Sequence, residues 1–205
     1  VEPQILQALE EALVKAIKRK APEVLALLAL WLMAFGVVRM VNVRRSMVVL
    51  VSDKFIHFHC KRGKRRGIRN GFDWCVPATL ATEKFQGWSW SAHILPLWLQ
   101  MNAQERAELG LCWCTKRRMV FTDESVLEAL HGALPASVFL PPDFTCYSCR
   151  RFAPTLGHLL GMDPDSLLAL GDWQDNTSKA RAAMPLRYSS AKYQASQAVK
   201  STIHV

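Results

Sequence analysis

Residues 24–45 read VLALLALWLMAFGVVRMVNVRR, and the fold turns on where that apolar run ends. Fifteen residues, 24–38, carry no charge, and Arg39 is the first strongly polar group after them. A helix of that length spans only about 22 Å, short of the ~30 Å of a bilayer core. The run therefore predicts a helix buried inside a protein, opened by Pro22 and continuing through Gly36 toward Arg39 and Arg45. The competing reading is a single-span membrane anchor with a basic juxtamembrane face.

Beyond Arg45 the period changes from helical to alternating. MVVLV at 47–51, the turn-like Ser52-Asp53-Lys54, FIHFH at 55–59 and the glycine-bearing KRGKRRG at 61–67 predict a β-hairpin. It continues into a third strand at 72–76, with the charge on the second turn. Upstream, Ile5, Leu6, Leu9, Leu13, Ala16 and Ile17 recur at helical spacing, so residues 1–21 are expected to be an amphipathic lead-in helix before a main domain over 22–205. The chain opens on valine with helix already under way, and is expected to be the C-terminal part of something longer.

Downstream, Trp88, Trp90 and Trp98 predict buried packing, and residues 101–109 look helical. Thr122 is the expected N-cap of a helix from Asp123 to about Gly132, because its hydroxyl can accept from a free backbone N–H and acids follow in the first turn. Pro141-Pro142 breaks the chain, and residues 146–160 return to helical apolar spacing through Phe152, Leu156 and Leu159. Asp163-Pro164 caps a short helix that stops at Gly171, and residues 188–200 form a last, weaker one. The class is α+β, mostly α, with a small three-stranded antiparallel sheet.

Half of the 205 residues are apolar, which excludes a disordered tail or a collagen-like fibre, and 26 basic residues against 17 acids leave a net charge of +9. The entire excess lies in residues 39–69, where ten basic side chains face Asp53 alone. Strand-like apolar stretches interrupt this segment, so it reads as a folded basic surface with an anionic partner such as nucleic acid. Six cysteines at irregular spacings, with no secretory signal, read as reduced thiols of an intracellular protein, nuclear in a eukaryote. A zinc site would need Cys112-x-Cys114 and Cys146-x-x-Cys149 on knuckles, but the second pair falls in a helical pattern, so no metal is expected. His57 and His59 alternate on one strand face and are expected to be solvated or to face DNA.

Three features then fall in one order: Arg39 after a buried helix, a basic hairpin turn, and Arg150 on a second helix followed by Gly171-Asp172-Trp173 and tyrosines. This order resembles the catalytic domain of the tyrosine recombinases and phage-type integrases. Arg150 and Trp173 are 23 residues apart, with Gly161 at the helix break and Gly171 before the turn, as in that family. The resemblance implies site-specific recombination or integration of double-stranded DNA through a 3′-phosphotyrosine, with no cofactor, no membrane and no small-molecule substrate. Self-association on DNA is implied as well, since strand exchange uses several active sites, and the family's core-binding domain would lie N-terminal to this one. The implied catalytic set is Arg39, Lys61, Tyr147, Arg150, Trp173 and Tyr188, with Lys64 and Tyr193 as the alternatives for general acid and nucleophile. Tyr147 stands where the family has a histidine, Asn42 where it has an acid, and Tyr188 lies 15 residues beyond Trp173, which implies a longer loop over 174–183.

Physical chemistry gives each residue a task in such a reaction. Planar guanidinium forks on Arg39 and Arg150 can each grip two phosphoryl oxygens as charge develops. An ammonium on the hairpin turn, Lys61 first and Lys64 second, can protonate the leaving 5′-oxygen. The Trp173 indole N–H can donate to a non-bridging oxygen. Tyr188, a phenol with a reference pKa near ~10, needs nearby cations to attack. Arg44, Arg45, Arg62, Lys64, Arg65, Arg66, Arg69 and Arg151 are expected to bind the DNA backbone, more weakly as salt rises.

Overall fold

The computed structural model describes residues 3–61, 71–99, 104, 113–114, 119–163 and 166. Its architecture is α+β and mostly helical, with a three-stranded antiparallel sheet packed on one central helix. Helix α1, Pro3–Lys18, lays Ile5, Leu6, Leu9 and Leu13 against α2, Val24–Gly36, in which every residue is buried. The apolar stripe of α1 and the whole of α2 thus belong to one continuous core. A helix apolar on all sides must be enclosed on all sides, and each of its five leucines contributes about 2 kcal/mol by leaving water. No helix among the described residues is long and apolar enough to cross a membrane, so the membrane-anchor reading of residues 24–38 finds no support there.

The end of α2 departs from expectation. The helix stops at Gly36 instead of running on to Arg39, and Val37 turns left-handed at φ 53° and ψ 26°. Arg39, extended at φ −80° and ψ 153°, caps a separate short helix α3, Met40–Arg44. Gly36 is needed where it stands, because a β-carbon there would lie 2.6 Å from the Trp74 ring of the sheet. The sheet therefore comes down on the last turn of α2, and the chain leaves the helix there.

Strands β1, Ser46–Val51, β2, Phe55–Cys60, and β3, Phe72–Pro77, pair in the order β1-β2-β3. Alternation in FIHFHC buries Ile56, Phe58 and Cys60 and turns Phe55, His57 and His59 outward. On the inner face Phe58 stacks on Trp74 at 4.3 Å, and the Trp74 indole donates to Ser46 Oγ at 2.8 Å. Ser46 Oγ in turn donates to the Asn42 carbonyl at 2.7 Å, tying α3 to the sheet. The edge strand β1 carries a bulge between Val48 and Leu50, a distortion that discourages further strand pairing.

The remaining helices enclose α2: α4, Trp90–Leu99; α5, Asp123–Ala133; α6, Cys146–Arg150; and α7, Phe152–Leu159. A two-stranded ladder pairs β4, Trp113–Cys114, with β5, Met119–Val120. Trp90 and Trp98 are buried and Trp88 half-buried, as their sequence context predicts. Thr122 caps α5, its Oγ1 accepting from Ser125 N at 3.2 Å. The single helix expected over 146–160 is interrupted at Arg151. Pro154 explains the break, since it has no N–H to give to the Arg150 carbonyl four residues back and its ring crowds that group.

One buried polar hub holds α1 in place. Glu10 is fully buried, and its carboxylate accepts from the Trp31 indole at 2.7 Å, Ala81 N at 2.8 Å, Thr82 N at 3.0 Å and Thr82 Oγ1 at 2.5 Å. Replacing it by leucine strands four donors, so Glu10→Leu is expected to lose about 3 kcal/mol or more in urea unfolding. Lys20, exposed at φ 52° just past α1, makes the opposite case. Lys20→Gly is expected to raise the unfolding free energy by about 1 kcal/mol, read as a higher urea midpoint at unchanged slope, because glycine takes that conformation without steric cost; a lower midpoint would contradict the left-handed turn at Lys20.

Candidate functional site

The first arginine is placed by the break after α2. Arg39 is half-buried, its carbonyl receives Asn42 N at 2.8 Å and Val43 N at 3.1 Å, and its side chain forms no ion pair among the described residues. Arg150, half-buried at the end of α6, reaches the same place from 113 positions away, its Nε donating to the Val37 carbonyl at 2.6 Å. Burial lowers the pKa of the Arg150 guanidinium; the Tyr147 phenol opposes this, and the neighbouring Arg39 charge adds to it. The two arginines of the sequence pattern are therefore neighbours in space.

Tyr147 completes the cluster. It is 44 % exposed, and its ring lies under both Arg150, with the guanidinium carbon 5.7 Å from the centroid, and Arg151, at 5.2 Å. A phenol ring against two guanidiniums holds them by cation–π attraction.

The other expected residues fall in several places. Lys61 is exposed where β2 ends, its N–H donating to the Arg45 carbonyl at 3.2 Å, so it sits one short helix away from Arg39. Arg45 and Arg151 are exposed. Arg44 is engaged instead with Asp123, Nη2 to Oδ1 at 2.5 Å, and helps fasten α3 to α5. Arg62, Lys64, Arg65, Arg66, Arg69, Trp173, Tyr188 and Tyr193 lie outside the described residues.

Two features escaped the sequence reading. Val37 gives no signal, because a β-branched residue is among the last expected in the left-handed region, where it costs roughly 1–2 kcal/mol. Asp73 was legible in principle, since the register of β2 on β3 puts it opposite His59, and the His59 Nδ1 to Asp73 Oδ1 distance is 2.7 Å. His59 is thus partnered within the sheet, at the root of the basic turn. Gly71, at φ 73°, lies against the His59 ring and the Cys60 carbonyl, too close for any side chain.

The cysteines do not form a metal centre among the described residues, where no group of three or more ligand-type side chains converges. Cys60, Cys75, Cys146 and Cys149 are buried. Burial pushes Cys149 up to about 12, and burial with the Asp123 charge does the same to Cys146, so both stay protonated and unreactive at neutral pH.

Comparison with family models, curated proteins and solved structures gives no match to this chain.

His57 gives the site's surroundings a pH dependence. Burial pulls its pKa below the ordinary 6.5, with Asp73 acting the other way. The fold therefore favours neutral His57, and that contribution is full above 6.5 and lost as pH falls below it toward the folded value. The drop in melting temperature from about pH 7.5 to about pH 5.5 should be smaller in His57→Gln than in the parent. An equal or larger drop in the variant would contradict the burial of this ring.

Proposed function

We propose that this chain is a DNA strand-transferase domain that cleaves and rejoins a phosphodiester through a 3′-phosphotyrosine. The observation that carries the reading is the meeting of Arg39 and Arg150 at the end of α2. Two half-buried guanidiniums whose charges repel one another are stabilised when a phosphodiester sits between them. Tyr147 holds Arg150 and Arg151 against its ring, and Lys61 lies on a segment whose ten basic residues attract DNA.

In this mechanism Tyr188 loses its phenolic proton to solvent and its oxygen attacks phosphorus. The bond to the 5′-oxygen breaks, Lys61 gives that oxygen a proton, and the enzyme is left joined to the 3′-phosphate. Arg39 and Arg150 hold the non-bridging oxygens, with the Trp173 N–H as a further donor. Rejoining is the reverse, with a 5′-hydroxyl from another strand as nucleophile. No metal or nucleotide takes part. The same basic surface makes double-stranded DNA the partner, with more than one copy of the domain assembled on it.

The experiment is a suicide-substrate assay on nicked DNA from the genomic flanks of the chain's own gene. A denaturant-resistant protein–DNA adduct is expected with the parent and with Tyr193→Phe, and none with Tyr188→Phe. Arg39→Ala and Arg150→Ala should each slow adduct formation by about a hundred-fold or more. An adduct that survives Tyr188→Phe would overturn the assignment of the nucleophile. Salt-sensitive DNA binding without any adduct would assign the chain to DNA binding alone.

A further inference from the structure

The Val37 carbonyl is the point where two backbone paths divide. Were α2 to continue through residues 37–39, as the apolar sequence allows, this carbonyl would accept from the N–H of Val41, four residues on. It accepts instead from Arg150 Nε at 2.6 Å, and Val37 stands in the left-handed region at φ 53°. On the far side the chain is fixed by Ser46 Oγ on the Asn42 carbonyl at 2.7 Å. Arg39 lies between these two tethers. Released from the first, Val37 would relax toward helical or extended angles and swing the Arg39 guanidinium away from its neighbour.

We propose that Arg150 is a positioning residue for Arg39: its Nε clamps the Val37 carbonyl and so holds the turn that points the first guanidinium at the phosphate. The inference rests on the reading of the arginine pair as a phosphate clamp. It adds that the second arginine builds the first one's position as well as making its own contact. A lysine at 150 keeps the charge but puts a methylene where arginine has Nε, so it should weaken the clamp selectively.

The test measures affinity of the full chain for a duplex oligonucleotide by fluorescence anisotropy, using Arg150→Lys, Val37→Gly and the double variant. Arg150→Lys should weaken binding about ten-fold or more. Val37→Gly alone should change it less than about two-fold, and added to Arg150→Lys it should recover about three-fold or more, since glycine holds the left-handed turn without help. The recovery should vanish when Arg39→Ala is also present. Val37→Asn, which tolerates the same angles and keeps a side chain, repeats the rescue if the glycine variant folds poorly by circular dichroism.

A double variant no tighter than Arg150→Lys would overturn the positioning role. If neither Arg39→Ala nor Arg150→Ala alters binding, the phosphate-clamp reading fails by itself. The clamp is then decided in the free protein by the φ-sensitive amide coupling of residue 37. A positive φ lost in Arg150→Lys and regained in the double variant supports it, and a φ unchanged by Arg150→Lys overturns it.

Discussion

Complete enclosure of α2 is the constraint from which the other features follow. Thirteen residues without a charged side chain must be covered on every side, and helices α1, α5, α6 and α7 with the inner face of the sheet supply the cover. A helix buried to its last residue must bring its first polar group out at one end. That end is crowded by the Trp74 ring against Gly36, so the chain turns there and Arg39 emerges beside it. The aromatic packing of Phe35 on Phe152, ring centroids 5.9 Å apart, anchors the start of α7 to the same end and with it Arg150. Core packing thereby fixes a charged pair that no local rule would bring together.

That pair is costly in isolation. Two neighbouring cations, each partly removed from water, repel one another and lose hydration. The Val37 carbonyl and the face of Tyr147 offset part of this cost, the first with a charge-assisted hydrogen bond and the second through its ring. Sites where strain and like charge accumulate are where function is usually found. Val37 supplies the strain and the two arginines the charge.

Much of the fold could be read directly. The buried helix, the three strands and their order, the Thr122 cap and the helical spacing after Cys146 all come from periodicity and capping chemistry, which act within a few residues. The end of α2 could not be read that way, because what stops it at Gly36 is a tryptophan 38 positions further on. The interruption at Arg151 was a local matter, with Pro154 in plain view. Of the proposed site, spacing and the resemblance singled out the two arginines and Tyr147, and the structure sets Arg150 against the turn that leads to Arg39. The Arg44 pairing with Asp123 and the Glu10 hub were not, since each joins segments more than 70 positions apart. Long-range partners of charged side chains are set by tertiary packing, and sequence alone gives them no address.

The most direct measurement is a double-mutant cycle on DNA affinity at fixed salt, with Arg39→Ala, Arg150→Ala and both together. If the two guanidiniums hold one phosphate, either single loss already breaks the clamp, so the double variant should bind about as weakly as the worse single one. Fully additive losses, each with its own independent reduction in salt dependence, would mean two separate backbone contacts and would contradict a shared phosphate site.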